Sequence, residues 1–212
     1  MTSPLRWTGI LLAAGRGRRF DTSGQQDKLL QQLGNGCSVA QQSASNMLAA
    51  MSDEAADVVA DVVAIVRPGH TVLTEQLQAL GVACLACSDA DMGMAHSLKH
   101  GLLATSDSAG WIIALADMPA VKTSTILLLV QALQAGAGIV VPVYQGRRGN
   151  PVGFARSYLP QLLNLEGDVG ARRLLQTELV TQIVVDDAGI HQDLDTQDEL
   201  VAHHARMSKL AS

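Results

Sequence analysis

Short apolar runs rich in β-branched residues alternate with amphipathic segments of helical length along the chain, and this alternation constrains the fold more than any other feature. The runs at 10–13, 62–66, 82–87, 111–115, 139–142 and 183–185 read as strands. Between most of them lies a helical pattern. One opens near Ser38, a suitable N-cap, and carries Val39, Ala40, Ala44, Met47, Leu48 and Met51 on one face; segments 71–80, 96–104 and 124–135 repeat the arrangement. That order predicts an α/β fold with a mainly parallel twisted sheet, helices on both faces, and ligands beyond the carboxyl ends of the strands. The polar or glycine-rich loops after strands, 15–28, 89–97, 117–119 and 145–151, are where chemistry should converge.

The 212 residues are 48% hydrophobic but only 3% aromatic, so the core must be aliphatic, and the lack of repeats or long linkers predicts one domain over 1–212. A net charge of −5 and few stacking aromatics argue against a nucleic-acid partner and for a free nucleotide. No apolar stretch approaches the ~20 residues of a membrane span, and no signal-peptide pattern opens the chain, which predicts no membrane association and a cytoplasmic location. Cys37, Cys84 and Cys87 complete neither a disulfide framework nor a four-cysteine zinc site. Cys84 and Cys87 have Cys-x-x-Cys spacing but lie in a strand-like run, away from the helix start that normally activates such a thiol.

Directly after the first run stands Leu12-Ala13-Ala14-Gly15-Arg16-Gly17-Arg18-Arg19-Phe20, followed by Asp27-Lys28-Leu29-Leu30. Gly15 and Gly17 let the backbone approach phosphate oxygens, and the arginines and Lys28 supply charge. No third glycine stands at Phe20 and no Gly-Lys-Ser/Thr occurs, so neither a dinucleotide fingerprint nor a P-loop fits. An ordinary turn with solvated arginines is the alternative. Asp117, where a buried strand should end before Pro119, is placed to hold Mg²⁺ against phosphate oxygens; a turn-forming Asp is the bland reading. Asp195 or Thr196 reads as the N-cap of a terminal helix, with Asp195 kept as a second metal candidate, and His203 and His204 read as a solvated helix face. Gly146-Arg147-Arg148-Gly149-Asn150-Pro151 forms a cationic loop before strand-like 152–154, and 166–173 reads as a helix start capped by Asp168 with Arg172 one turn in.

In this order the segments 12–19, 27–30, 93–98, 115–119, 146–151 and 167–172 resemble the nucleotidyltransferase family that contains molybdenum cofactor cytidylyltransferases and the related guanylyltransferases. The resemblance implies a Rossmann-like nucleotidyltransferase fold, with Arg16, Lys28 and Asp117 as the catalytic group. Ala13, Ala14, Gly15, Gly17, Arg19, Gly93 and Ser97 would line the nucleotide together with Arg16 and Lys28. Arg148, Asn150, Asp168 and Arg172 would face the acceptor, and Mg²⁺ is the implied cofactor. The implied substrates are CTP, or another nucleoside triphosphate, and a molybdopterin-type acceptor, with a molybdoenzyme as partner. Leu-Ala-Ala-Gly, rather than the Leu-Ala-Gly-Gly more frequent in guanylyltransferases, points to cytosine. The chain departs from the family in the lengthened stretch 20–26, in His96, and in Asn150 where many cytidylyltransferases carry His. A guanylyltransferase, a transferase for another phosphorylated acceptor, a non-catalytic nucleotide-binding assembly factor and a dinucleotide-dependent oxidoreductase remain the alternatives.

Overall fold

The computed structural model describes residues 6–23, 25–52, 59–165, 167 and 171–210. Their strands are β1 Arg6–Leu12, β2 Val59–Val66, β3 Ala83–Ala86, β4 Gly110–Leu115, β5 Ile139–Tyr144, β6 Arg147–Arg148, β7 Val152–Ala155 and β8 Thr181–Val184. The helices are α1 Val39–Met51, α2 Thr71–Gln78, α3 Met94–Ala104, α4 Thr123–Gln134, α5 Leu159–Leu163, α6 Arg172–Thr177 and α7 Gln197–Leu210. No helix among these residues is long and apolar enough to cross a membrane.

The eight strands form one sheet in the order β3-β2-β1-β4-β7-β5-β6, with β8 on the other side of β5. The pairs β1–β2, β1–β4, β2–β3 and β5–β8 are parallel, as the alternation predicts. β7 runs antiparallel between β4 and β5, and β6 returns antiparallel on β5. A parallel β7 would need a crossover after β5, whereas 145–151 supplies only a tight return.

Because the side-chain period of a strand is two, the runs bury residues on both faces. Leu11, Val62, Ala64, Val66 and Ile112 pack with α1, α2 and α4. Ile10, Val63, Ile65, Trp111 and Ile113 pack with α3 and α5 on the other face. Helices therefore cover both faces, as expected. α1 starts where Ser38 predicts: the Ser38 hydroxyl accepts from the Gln41 N–H at 3.3 Å, and the Gln41 side chain accepts from the Ser38 N–H at 2.9 Å. Gly9 admits this helix, since a Cβ there would lie 2.9 Å from Met47 Cγ.

Register carries the fold to the site. Leu12 is level with Ile65 on one side and Leu115 on the other, so the loops after β1, β2 and β4 leave the sheet at one edge. The Ala13 N–H continues the ladder to Ile65 O at 2.9 Å, and Ala116 N–H does so to Leu12 O at 3.1 Å.

The start of α6 and the setting of His203 correct the readings above, and of the two cap candidates for α7 the structure uses Thr196. α6 begins at Arg172 itself with Ala171 in the N-cap position, so Arg172 is not one turn in; Asp168, its expected cap, lies outside the described residues. α7 is capped by Thr196, whose hydroxyl accepts from Glu199 N–H at 3.3 Å while Glu199 accepts from Thr196 N–H at 2.8 Å. That pairing frees Asp195 for another role. Nor is His203 solvated: it is buried, and His204 sits within hydrogen-bond distance of Gln32 O at 3.0 Å.

Candidate active site

A cleft of about 450 Å³ opens at the shared edge of β1 and β4. Of the residues singled out in the sequence, Ala14, Gly15, Arg16, Lys28, Gly93, Ser97 and Asp117 line it; Arg18, Asp91, Met94 and the strand-terminal Leu12 and Leu115 line it as well. Ala13 is buried behind the cleft, with its N–H used by the sheet. Gly17 lies against the stem of Lys28 with a positive φ of 58°, where an added Cβ would sit 3.3 Å from Lys28 Cγ.

Lys28 is the hub. Asp27 caps the short 3-10 turn Lys28–Leu30 by accepting from the Leu29 N–H at 2.9 Å, which fixes where the lysine leaves the backbone. Its Nζ then donates to Asp117 Oδ2 at 2.5 Å and to Asp195 Oδ1 at 2.6 Å. Their side chains are 8%, 18% and 11% exposed in the order Lys28, Asp117 and Asp195, so water screens these pairs little. Burial pulls the lysine pKa down, but the two carboxylates outweigh it and hold the ammonium above its ordinary value. Burial likewise pushes Asp195 up, and Lys28 and then Arg19 more than offset it. Arg19, largely solvent-exposed, does not line the cleft and reaches the site through Asp195 Oδ2 at 2.5 Å.

Asp117 Oδ1 is buried and has no hydrogen-bond partner among the described residues. An orphaned anionic oxygen beside a second carboxylate, both of hard oxygen donors, fits a divalent cation such as Mg²⁺ or Mn²⁺. Among the described residues no group of three His, Cys, Asp or Glu side chains is arranged to hold a metal, so such an ion would complete its shell with substrate phosphates and water.

Asp91 was not singled out in the sequence. Both oxygens of its carboxylate hold the Arg16 guanidinium, tying the loop after β1 to the turn before α3 across the mouth of the cleft. Arg16 holds the Asp91 carboxyl below its ordinary range, even though burial slightly opposes it. The pair is exposed and therefore weak, so a nucleotide phosphate can compete for Arg16. Asp91→Asn should tighten CTP binding by roughly fivefold at most, read by calorimetric titration. Weaker binding would instead make Asp91 a nucleotide contact.

The expected acceptor residues do not share this cleft. Arg148 is exposed and donates to Leu175 O at 2.8 Å, and Asn150, joined to Pro151 by a cis peptide bond, faces a small gap beside Ser43, Asn46 and Met118. Arg172 opens α6, and Asp168 lies outside the described residues. Cys84 and Cys87 are free and face opposite sides of the sheet, and burial pushes the Cys84 thiol up, away from redox activation.

A parallel sheet edge with a glycine and arginine loop after its first strand, and a lysine bridging two carboxylates beside it, belongs to the class of enzymes that transfer nucleotidyl groups. The chain is a member of the MobA-like NTP transferase domain family, which matches residues 9–183. It is 30% identical over 200 residues, covering 90% of this chain and 92% of the relative, to the purine catabolism protein PucB of Bacillus subtilis (strain 168). Rv0371c from Mycobacterium tuberculosis H37Rv superposes with a TM-score of 0.81 at 24% identity, over 97% of this chain and 100% of that one. The manganese complex of Rv0371c gives a TM-score of 0.76 at 22% identity, over 94% and 98%. The molybdopterin-guanine dinucleotide biosynthesis protein A of Archaeoglobus fulgidus gives 0.67 at 17% identity, over 95% and 99%. These likenesses establish the Rossmann-like nucleotidyltransferase fold expected from the sequence.

Proposed function

We propose that this chain, acting as a single nucleotidyltransferase domain, transfers CMP from CTP to the terminal phosphate of a molybdopterin-type acceptor and releases pyrophosphate. The observation that carries the transfer chemistry is the convergence of Arg16, Arg18, Lys28 and Asp117 on one cleft, which also reaches Gly93 and Ser97. The pterin acceptor follows from membership of a family whose solved structures include the molybdopterin-guanine dinucleotide protein. Cytosine is supported by the Leu-Ala-Ala-Gly form of the first loop, in which Ala14 lines the cleft beside Gly15.

In this reading an oxygen of the acceptor phosphate attacks the α-phosphorus in line. The new P–O bond forms as the α–β bond breaks, and its electron pair leaves on the bridging oxygen of pyrophosphate. A phosphate monoester is largely a dianion near pH 7, so no general base is needed. Lys28 lies between the carboxylates with its charge secured, positioned to counter negative charge on the α-phosphate. Arg16 and Arg18 do the same farther along the phosphate chain. Asp117 and Asp195 would hold Mg²⁺ or Mn²⁺, which supplies charge neutralisation to the phosphates when bound.

Pyrophosphate release should be measured with CTP, GTP, ATP and UTP, each with and without molybdopterin. Release with CTP that requires molybdopterin is the expected result. Preference for GTP would make the chain a guanylyltransferase, and tight nucleotide binding with no release from any pair would make it a binding factor.

A further inference from the structure

A second basin of about 560 Å³ adjoins the cleft, sharing Arg16 and Arg18 with it. Its far wall is the lengthened stretch that departs from the family pattern. There Asp21 accepts from the N–H groups of Ser23, Gln25 and Gln26 at 2.8, 2.9 and 2.8 Å, which folds the insertion into a compact turn. Its near wall is the loop after β2, carrying Arg67 and His70. Because β2 lies parallel beside β1 and ends level with it, this loop is delivered to the same sheet edge as the phosphate-binding loop.

The charges of the basin are unbalanced in a way that calls for an anion. Both carboxylates that line it are already engaged, Asp21 by its own turn and Asp27 by His70 at 2.6 Å and by Leu29 N–H; Asp91, in the adjoining cleft, is held by Arg16. Among the described residues, the side chains of Arg18 and Arg67 make no hydrogen bond or close ion pair; Arg67 acts on Asp27 and Asp91, and Arg18 on Asp91, only through charge at longer range. Arg67 is half-buried and its Nε is shielded from water without an acceptor, as is Nδ1 of His70. A partly desolvated guanidinium without a partner is costly, and a phosphate group with several acceptor oxygens removes that cost.

Resting on the nucleotidyl-transfer reading above, we infer that Arg67, with Arg18, binds the pyrophosphate leaving group in this basin. The α-phosphate stays at Lys28 while the β- and γ-phosphates extend past Arg16 and Arg18 toward Arg67. When the α–β bond breaks, the charge released on the β-phosphate meets guanidinium groups that hold no carboxylate in a close ion pair. Residues 21–23 with Gln25 and Gln26 of the insertion are thus the outer wall of a leaving-group site.

The test is calorimetric titration of the full chain, wild type, Arg67→Gln and Arg67→Lys, with inorganic pyrophosphate, inorganic phosphate, CTP and CMP in the presence of Mg²⁺. Thermal melts show that each variant is folded. The expected result is that Arg67→Gln weakens pyrophosphate and CTP about tenfold and leaves CMP unchanged, with Arg67→Lys recovering part of the loss. Equal pyrophosphate binding by wild type and Arg67→Gln overturns the assignment and leaves the transferase reading standing. So does inorganic phosphate binding as tightly as pyrophosphate, which would make the basin a simple anion site. A wild type that binds neither CTP nor pyrophosphate overturns both.

Discussion

Asp117→Asn should lower kcat/KM for nucleotidyl transfer by on the order of 10²- to 10³-fold while leaving the fold intact. Asparagine keeps the volume and an oxygen acceptor at the end of β4. The backbone carbonyl of Asp117, which accepts from Leu194 N–H at 2.9 Å, is untouched. Lys28 retains Asp195, so the ion pair is thinned rather than abolished. What disappears is the negative charge on the carboxylate whose Oδ1 has no protein partner. The divalent-metal concentration needed for half-maximal activity should therefore rise steeply, and calorimetric Mn²⁺ binding should weaken in parallel. Turnover within a few-fold of wild type would remove Asp117 from the reacting centre and leave it as a structural partner of Lys28.

Local patterns made Asp117 legible because a β-branched run, an acidic residue and a proline occur within one short segment, and a parallel strand delivers its carboxyl end to the ligand edge. The same logic located Lys28 and the glycine loop. Asp195 was harder. In sequence it merges with the cap of α7, and only the structure separates Thr196, which caps, from Asp195, which reaches a lysine 167 positions away. Arg67 and His70 carried no motif at all. A usable signal was the strand-end rule itself, since β2 is adjacent to β1 and its following loop had the same claim to the ligand edge as the loops that were noticed. The reversal of β7 escaped because direction is set by chain return and pairing, which hydrophobic period does not encode. His203 escaped for a related reason, as its burial depends on what the terminal helix packs against.

Lys28→Met should cost about 3–5 kcal/mol of stability, the amount associated with removing one partner from a buried ion pair, and should abolish measurable transfer. Methionine preserves most of the stem that packs beside Gly17, so the loss isolates the charge. Without the ammonium, Asp117 and Asp195 remain on either side of its former position, mostly buried and without their shared cation. The pH dependence should then reverse sign. In the wild type Asp195 is held below its ordinary value of 3.8, so its contribution is complete above that pH and fades as pH falls through the lowered value. In Lys28→Met only Arg19, largely exposed and screened by solvent, still favours the Asp195 anion; burial and the neighbouring carboxylate outweigh it and favour the neutral acid, so the folded state takes up a proton more readily than the unfolded chain. Its stability should therefore rise on acidification from pH 7 to pH 5, a range over which the wild-type contribution of Asp195 is constant. Added Mn²⁺ should replace the missing positive charge and raise the melting temperature of the variant more than that of the wild type. A Lys28→Met protein that melts like wild type, ignores Mn²⁺ and shows no reversal between pH 7 and 5 would mean that the two carboxylates are not energetically joined through Lys28. The shared cation position proposed for the active site would fall with it.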